Sequence, residues 1–388
     1  MGPLKGVRVL EIGAIGPAPF TAMMLADMGA DVVRVDRVDV VTPAPGSAAD
    51  FIRQTSTGKF SVINRSRRSI GLDLKSTEGR EVGLELVAKA DVLIEGFRPG
   101  VMERLGLGPD ICLKKNPALV FGRMTGWGQT GPLALTPGHD PNYVAIAGAM
   151  HLARFASPDT PPKIPAGFGD FGAGGMFLAF GIMCALFEAK RSGKGQVVDA
   201  AICDGTSIIM APNYAQIAAG IWNHEPESNT LDGAAHFFSN YECADGKWIS
   251  IAAIEPQFYA DLIEHLGVAD NLDFQDQMNQ ALWPKLKQKM AEIFKTRTRA
   301  QWTELLEGTD ACFAPILDLE EATQHPQLVA RNRYVTAYGV TQPAPAPVFS
   351  RTSPDTPYAP PEPGAHTQAV LRDWGVGSSV IEKLQHKA

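Results

Sequence analysis

Apolar positions along the N-terminal half come in short continuous runs separated by helical-period stretches, the pattern of strands joined by crossover helices. Val7-Arg8-Val9-Leu10-Glu11-Ile12 reads as a strand, 13–19 as a turn, 20–28 as an apolar helix closed by Gly29, and 31–35 as a second buried strand. This βαβ unit predicts a parallel sheet. Residues 40–59, rich in Pro, Ser, Thr and Gly, read as a loop. Strands are expected at 69–74, 91–95 and 119–123, with a helix over 78–90 and turns at 97–100 and 127–132. A helix over 141–153, a loop over 155–169, a long helix over 172–191, a strand at 196–200 and a helix over 203–220 follow. Ser192-Gly193-Lys194-Gly195 stops the long helix.

The texture changes near Glu225. Asp245-Gly246 marks a hairpin turn within 241–248. Residues 249–253 alternate as a strand, and Pro256 opens a helix. The segment 341–365 is Pro-rich and extended, and a last helix is expected over 367–384. The chain reads as α/β throughout.

Its 388 residues exceed one ordinary core and suggest two domains. A net charge of -7 argues against a general nucleic-acid binder. No run reads as a membrane span, the N-terminus lacks the apolar core of a signal peptide, and His386-Lys387-Ala388 is not a peroxisomal address. The five cysteines are scattered and none lies in a CxxC pair, so neither disulfides nor structural zinc are expected. A reducing, cytoplasmic compartment fits this usage.

Two residues stand out as acid/base groups. His139 lies in Gly138-His139-Asp140-Pro141-Asn142-Tyr143. Asp140 is a favoured N-cap and Pro141 suits the first helical position, which sets His139 beside a helix N-terminus whose free N–H groups favour negative charge. A base there works next to a ready-made oxyanion site. A capping turn with an exposed histidine fits the same hexapeptide. Asp170 lies in Phe168-Gly169-Asp170-Phe171-Gly172-Ala173-Gly174-Gly175. So many glycines weaken a helix start and point to close approach of a backbone or ligand. The flanking phenylalanines would desolvate the carboxylate and raise its pKa. A plain helix cap is the alternative.

Glu255, just before Pro256, either favours the positive end of its helix or orients His139. Arg34, Arg37, Arg53, Lys59, Arg65, Arg67, Arg68, Lys75 and Arg98 form a basic N-terminal third that could hold phosphates. Asp36 ends a strand where dinucleotide-binding folds place a ribose acceptor, but Gly13-Ala14-Ile15-Gly16-Pro17 does not match GxGxxG, which ranks a nicotinamide enzyme low.

Taken together, the chain resembles the family III CoA-transferase (CaiB/BaiF) superfamily, and within it the α-methylacyl-CoA racemases. The resemblance runs through Leu25-Ala26-Asp27-Met28-Gly29-Ala30, Val33-Arg34-Val35-Asp36-Arg37, Arg68-Ser69-Ile70-Gly71-Leu72-Asp73-Leu74-Lys75 and Glu95-Gly96-Phe97-Arg98-Pro99-Gly100-Val101. It continues through the turn at 138–143, Gly169-Asp170-Phe171-Gly172, Gly193-Lys194-Gly195-Gln196-Val197-Val198-Asp199-Ala200, Ile254-Glu255-Pro256-Gln257-Phe258-Tyr259, Ala314-Pro315 and His325-Pro326-Gln327. Racemases of this kind carry the histidine and the glutamate, present here as His139 and Glu255.

The resemblance implies a racemase that moves the α-proton of a 2-methylacyl-CoA thioester through an enolate. His139, paired with Glu255, would serve one face and Asp170 the other, with the N–H of Asp140 on the enolate oxygen. Arg37, Leu72, Asp73, Leu74, Lys75, Arg98, Gly138, Asn142 and Tyr143 would bind CoA. No cofactor or metal is implied, since CoA is part of the substrate. The implied fold is an interlocked homodimer. Each chain would have a Rossmann-like large domain (1–200 and 330–388), a linker helix (201–224) and a small α/β domain (225–329), with Glu255 acting across subunits. Met150, Met176, Met183 and Met210 are candidates for an acyl surface. Two other readings stand: a CoA-transferase with Asp170 as nucleophile, and a thioester-binding protein without turnover.

Overall fold

The structure, a computed structural model, describes residues 2–47, 50, 58–153 and 163–385. The chain divides into two compact units, one of Met1–Ala147, Pro165–Ile209 and Pro326–Ala388, the other of Gly148–Ile164 and Met210–His325. The first unit therefore extends to Ile209, beyond the expected 200, and the second takes in 148–164.

In the first unit, β1 (Arg8–Ile12), β2 (Asp31–Asp36), β3 (Arg68–Gly71), β4 (Val92–Glu95), β5 (Val120–Thr125) and β6 (Gln196–Ala201) form one parallel sheet in the order β3-β2-β1-β4-β5-β6. Its central strands are buried on both faces, which explains their nearly unbroken apolar sequences. The register aligns Val9 with Val32 and Val92, and Val92 with Val120. These four share a core with Ala18, Ala22, Leu178 and Ile182. One residue along each strand, Leu10, Val33, Leu93 and Phe121 point to the other face and pack with Val82, Leu86, Leu371 and Trp374. The covering helices are α1 (Pro17–Asp27) and α4 (Met176–Ser192) on the first face, and α2 (Thr77–Val87) on the second. The returning C-terminal segment adds Leu371 and Trp374 to that second face, and the Trp374 indole N–H donates to Asp31 at 2.8 Å.

Several element limits differ from expectation, each for a local reason. The helix expected over 141–153 is α3 (Asp140–Ile146), separated by Gly148, at φ 86°, from a short turn of helix at Ala149–Leu152. The helix expected over 203–220 divides at Met210 into α5 (Ile202–Ile209) and α6 (Ala211–Ala218), where Pro212 cannot supply the N–H a continuous helix needs. The last helix divides around Gly375, at φ 69°, into Thr367–Asp373 and Ser378–Gln385. An unforeseen hairpin, Tyr334–Ala337 with Val340–Pro343, leads into the extended tail. Much of the expected loop 40–59 lies outside the described residues.

Phe168–Ser192 corrects the expectation that no run reads as a membrane span: it is long and apolar enough to cross one. Here it lies against the sheet and buries Leu178, Ala179, Ile182, Ala185, Leu186 and Ala189.

In the second unit, β7 (Phe238–Glu242), β8 (Trp248–Ala252) and β9 (Phe313–Pro315) form an antiparallel sheet. Gly246 of the Asp-Gly turn takes φ 73°. Tyr241, Ile249 and Ile251 pack with Leu262, Trp283, Phe294 and Trp302 from the helices that follow.

Candidate active site

The strand order reverses between β1 and β4, and in open parallel sheets the crevice beyond the carboxyl ends at such a point receives ligands. A cleft of about 610 Å³ lies there. Ile12 and Gly13 wall it after β1, Arg37 to Asp39 after β2, Leu72 to Lys75 after β3, and Phe97, Val101 and Leu105 after β4. Five expected CoA contacts, Arg37, Leu72, Asp73, Leu74 and Lys75, are thus neighbours. Leu72 is a buried wall residue, Asp73 accepts from the Lys75 N–H at 3.0 Å, and the exposed Arg37 pairs with Asp39.

A second cleft of about 260 Å³ is lined by Arg98, Gly138, His139 and Tyr143, with Trp127 and Phe97. Phe97 lines both clefts. The turn that carries it is anchored from below: Glu95 accepts the Phe97 N–H at 2.7 Å and Arg123 Nε at 2.8 Å, and Arg123 reaches Glu103 at 2.8 Å. Burial pushes the Glu95 carboxyl up to about 6, against the pull of the Phe97 N–H and Arg123. Glu95, Phe97, Arg123 and Trp127 had no assigned role in the sequence; the charge ending the otherwise apolar strand β4 was the available signal.

The His139 turn is built on Tyr143. That ring lies directly against Gly126, where a Cβ would fall 2.0 Å from Cε1, and meets Trp127 edge-on at 4.7 Å. Its hydroxyl donates to the Gly138 carbonyl. Tyr143 is thus mostly buried scaffolding in the cleft wall. Asn142 is exposed and accepts the His139 N–H at 3.0 Å. His139 itself is the N-cap of α3, one residue earlier than expected, with Asp140 and Pro141 as its first helical residues.

The Asp140 carboxylate is thereby released from its own helix. Its Oδ2 accepts the N–H of Gly167 at 3.0 Å and of Asp170 at 2.9 Å. Those donors open a π-helical segment, Phe168–Gly175, that leads straight into α4. Asp170 therefore stands inside the helix, not in a loop before it. The glycines are required by neighbours: a Cβ at Gly169 would lie 2.7 Å from Val144 Cγ2, and one at Gly205 of α5 would lie 1.9 Å from the Ala173 carbonyl oxygen. Burial raises the Asp170 carboxyl above its ordinary range, the Asp140 charge adds to this, and His139 opposes it. The ring of Phe171, next in the chain, lies 4.9 Å from that of Phe20.

Glu255 is in the second unit, as the N-cap of the helix Pro256–His265. Met176 and Met183 lie exposed on α4, alongside Phe180 and Phe187.

The structure corrects the phosphate-binding expectation for four of the basic residues. Arg34 pairs with Asp36, Arg65 with Asp27, Arg67 with Glu11 and Arg68 with Asp31. Asp36, held by Arg34 and by the Ser69 hydroxyl at 2.6 Å, is equally spent, which removes the ribose-acceptor role. Arg53 lies outside the described residues. Among the described residues no group of three or more His, Cys, Asp or Glu side chains is arranged to hold a metal ion.

Residues 4–367 match CoA-transferase family III. The chain is 40% identical over 384 residues to an alpha-methylacyl-CoA racemase of Mus musculus, covering 98% of this chain and 96% of that one. It is 38% identical over 385 residues to that of Homo sapiens, with the same coverage. Among solved structures, a CaiB/BaiF family protein from Brucella suis superposes with a TM-score of 0.78 at 28% identity, covering 96% of this chain and 99% of the other. With a match that spans nearly its whole length, the chain belongs to CoA-transferase family III.

Proposed function

We propose that this enzyme is an α-methylacyl-CoA racemase, interconverting (2R)- and (2S)-2-methylacyl-CoA thioesters. The observation that carries the reading is the joining of the His139 turn to the Asp170 segment through Asp140, next to the cleft that shares Phe97 with the one at the sheet's switch point.

The thioester carbonyl acidifies the α-carbon, and the remaining barrier falls if the enolate oxygen is stabilised. The Asp140 N–H, at the first turn of α3, has no partner within the helix and suits that task. His139 exchanges the proton on one face and Asp170 on the other. A carboxyl raised by burial holds a proton closer to neutral pH, which suits Asp170 to act as acid in one direction and base in the other. Arg37, Leu72, Asp73, Leu74, Lys75, Arg98, Gly138, Asn142 and Tyr143 bind or frame the CoA portion. The reaction returns carbon at the same oxidation level, so it calls for no redox cofactor.

Glu255 orients His139 from the second unit of a partner copy in an interlocked homodimer. The exposed stripe Met176, Phe180, Met183 and Phe187 on α4 supports an association of this kind. Free cysteines, Cys184 exposed among them, suit a reducing, cytoplasmic setting.

The test is α-proton exchange. In D₂O, both epimers of a 2-methylacyl-CoA should take up α-deuterium; a bound substrate that keeps its α-hydrogen overturns the reading. The family match favours one second reading, CoA transfer with the Asp170 carboxylate as nucleophile. Hydroxylamine trapping of an Asp170 acyl adduct, with CoA passing to a free acid, would select it.

A further inference from the structure

We propose that the Asp140 side chain is a positioning residue, separate in role from the N–H of the same residue: one carboxylate oxygen pins the backbone at Gly167 and Asp170 and so sets how the Asp170 carboxyl faces the His139 turn. This rests on the acid/base reading of His139 and Asp170.

The geometry is specific. Both N–H groups converge on Oδ2, at 3.0 and 2.9 Å. They belong to the start of a helical segment, where intrahelical acceptors are missing, so Asp140 caps a helix other than its own. The two elements touch directly: a Cβ at Gly169 would lie 3.2 Å from Asp140 Cγ. Turning Asp140 away would therefore release the Asp170 backbone and open the contact together.

The same oxygen places a negative charge beside Asp170. Around that carboxyl, α3 brings Asp140, His139 and Tyr143, with the His139 charge opposing that of Asp140. α5 brings Cys203 and Asp204, of which Cys203 acts on Tyr143. α1, packed on the same segment, carries one ionisable side chain, Asp27 at its far end, which is paired with Arg65. β5 brings Arg123, held by Glu95 and Glu103. Asp140 is thus the anion that raises Asp170, after burial.

Hydrogen bonding and charge separate cleanly by substitution. Asp140→Asn keeps an oxygen for both N–H groups and removes the charge; Asp140→Ala removes both. With α-proton exchange as the readout, Asp140→Ala should lose roughly 10²-fold in kcat, the size expected of a catalytic group displaced by about an ångström. Asp140→Asn should retain at least about ten times the Asp140→Ala rate, and its Asp170 limb in the pH profile should move to lower pH. Carbon-13 NMR of the Asp170 carboxyl should show the same downward shift without any turnover. An Asn variant as impaired as the Ala variant, or an Asp170 titration that does not move, overturns the proposal even where the wild type exchanges normally. Failure of exchange in the wild type instead overturns the racemase reading itself.

Discussion

Arg123 Nε lies 2.8 Å from Glu95 Oε1, and Glu95 keeps no exposed side-chain surface. The other Glu95 oxygen holds the Phe97 N–H, so a buried ion pair carries the turn shared by both clefts. Burial pushes this carboxyl up to about 6. A pKa above the unfolded value means that the stability it contributes is whole below about 4.5 and is lost as pH rises through 6. From well below 4.5 to well above 6 the wild type should lose about 2 kcal/mol relative to Glu95→Gln, read as the difference between urea titrations at the two ends of that range. Parallel curves would contradict this.

Arg67 and Glu11 meet at 2.7 Å with no exposed side-chain surface on either. Removing one partner of such a pair strands a buried charge, at about 3–5 kcal/mol. Glu11→Gln should lower the unfolding free energy by that order, and Glu11→Leu with Arg67→Met should recover much of it. A double variant as unstable as the single one would refute the assignment.

His236 is fully buried in the second unit, with Nε2 2.7 Å from the Tyr259 hydroxyl. Burial lowers its pKa to about 4. The stability it contributes is whole above about 6.5 and is lost as pH falls toward 4. Imidazole proton resonances followed by NMR should stay at their neutral positions through pH 5; titration near 6.5 would show that the ring is solvated.

His139→Ala and Asp170→Ala should each lower racemisation by roughly 10²–10⁴-fold. If each group serves one face, either variant keeps deuterium exchange of a single epimer without inversion. Chiral chromatography with mass spectrometry distinguishes this from a one-base mechanism, in which one variant would be unaffected.

Phe180→Glu with Phe187→Glu puts charges into the apolar stripe of α4. Light scattering should show the proposed homodimer giving way to monomer. A dimer of unchanged stability would place the association elsewhere.

The sheet was legible because central strands buried on both faces are mostly apolar, with buried charges such as Glu11 and Arg123 held in ion pairs: 91–95 and 119–123 differ from β4 and β5 by a residue or two. The start of the Asp170 helix was not. Gly169 read as the end of a loop and the helix was expected only from 172, yet Gly169, Gly174 and Gly175 are glycine because Val144, Ile202 or Phe20 occupies the place of the side chain. Asp140 looked like a cap for its own helix, and only the folded chain brings Gly167 and Asp170 to it. The basic residues misled for a related reason. Arg65 and Arg67 pair with Asp27 and Glu11, 38 and 56 residues away, and such pairings leave no local trace.

Gly205 has a reach beyond its own helix. β6 ends at Ala201 and α5 begins at Ile202 without a connecting residue, and α5 can lie on the Ala173 carbonyl only while position 205 stays bare. Outer strand, helix and acidic turn consequently work as one lever. Any redesign of that edge would have to redraw it as a whole, since a lone methyl group at 205 would press on the Ala173 carbonyl and so on the segment that carries Asp170.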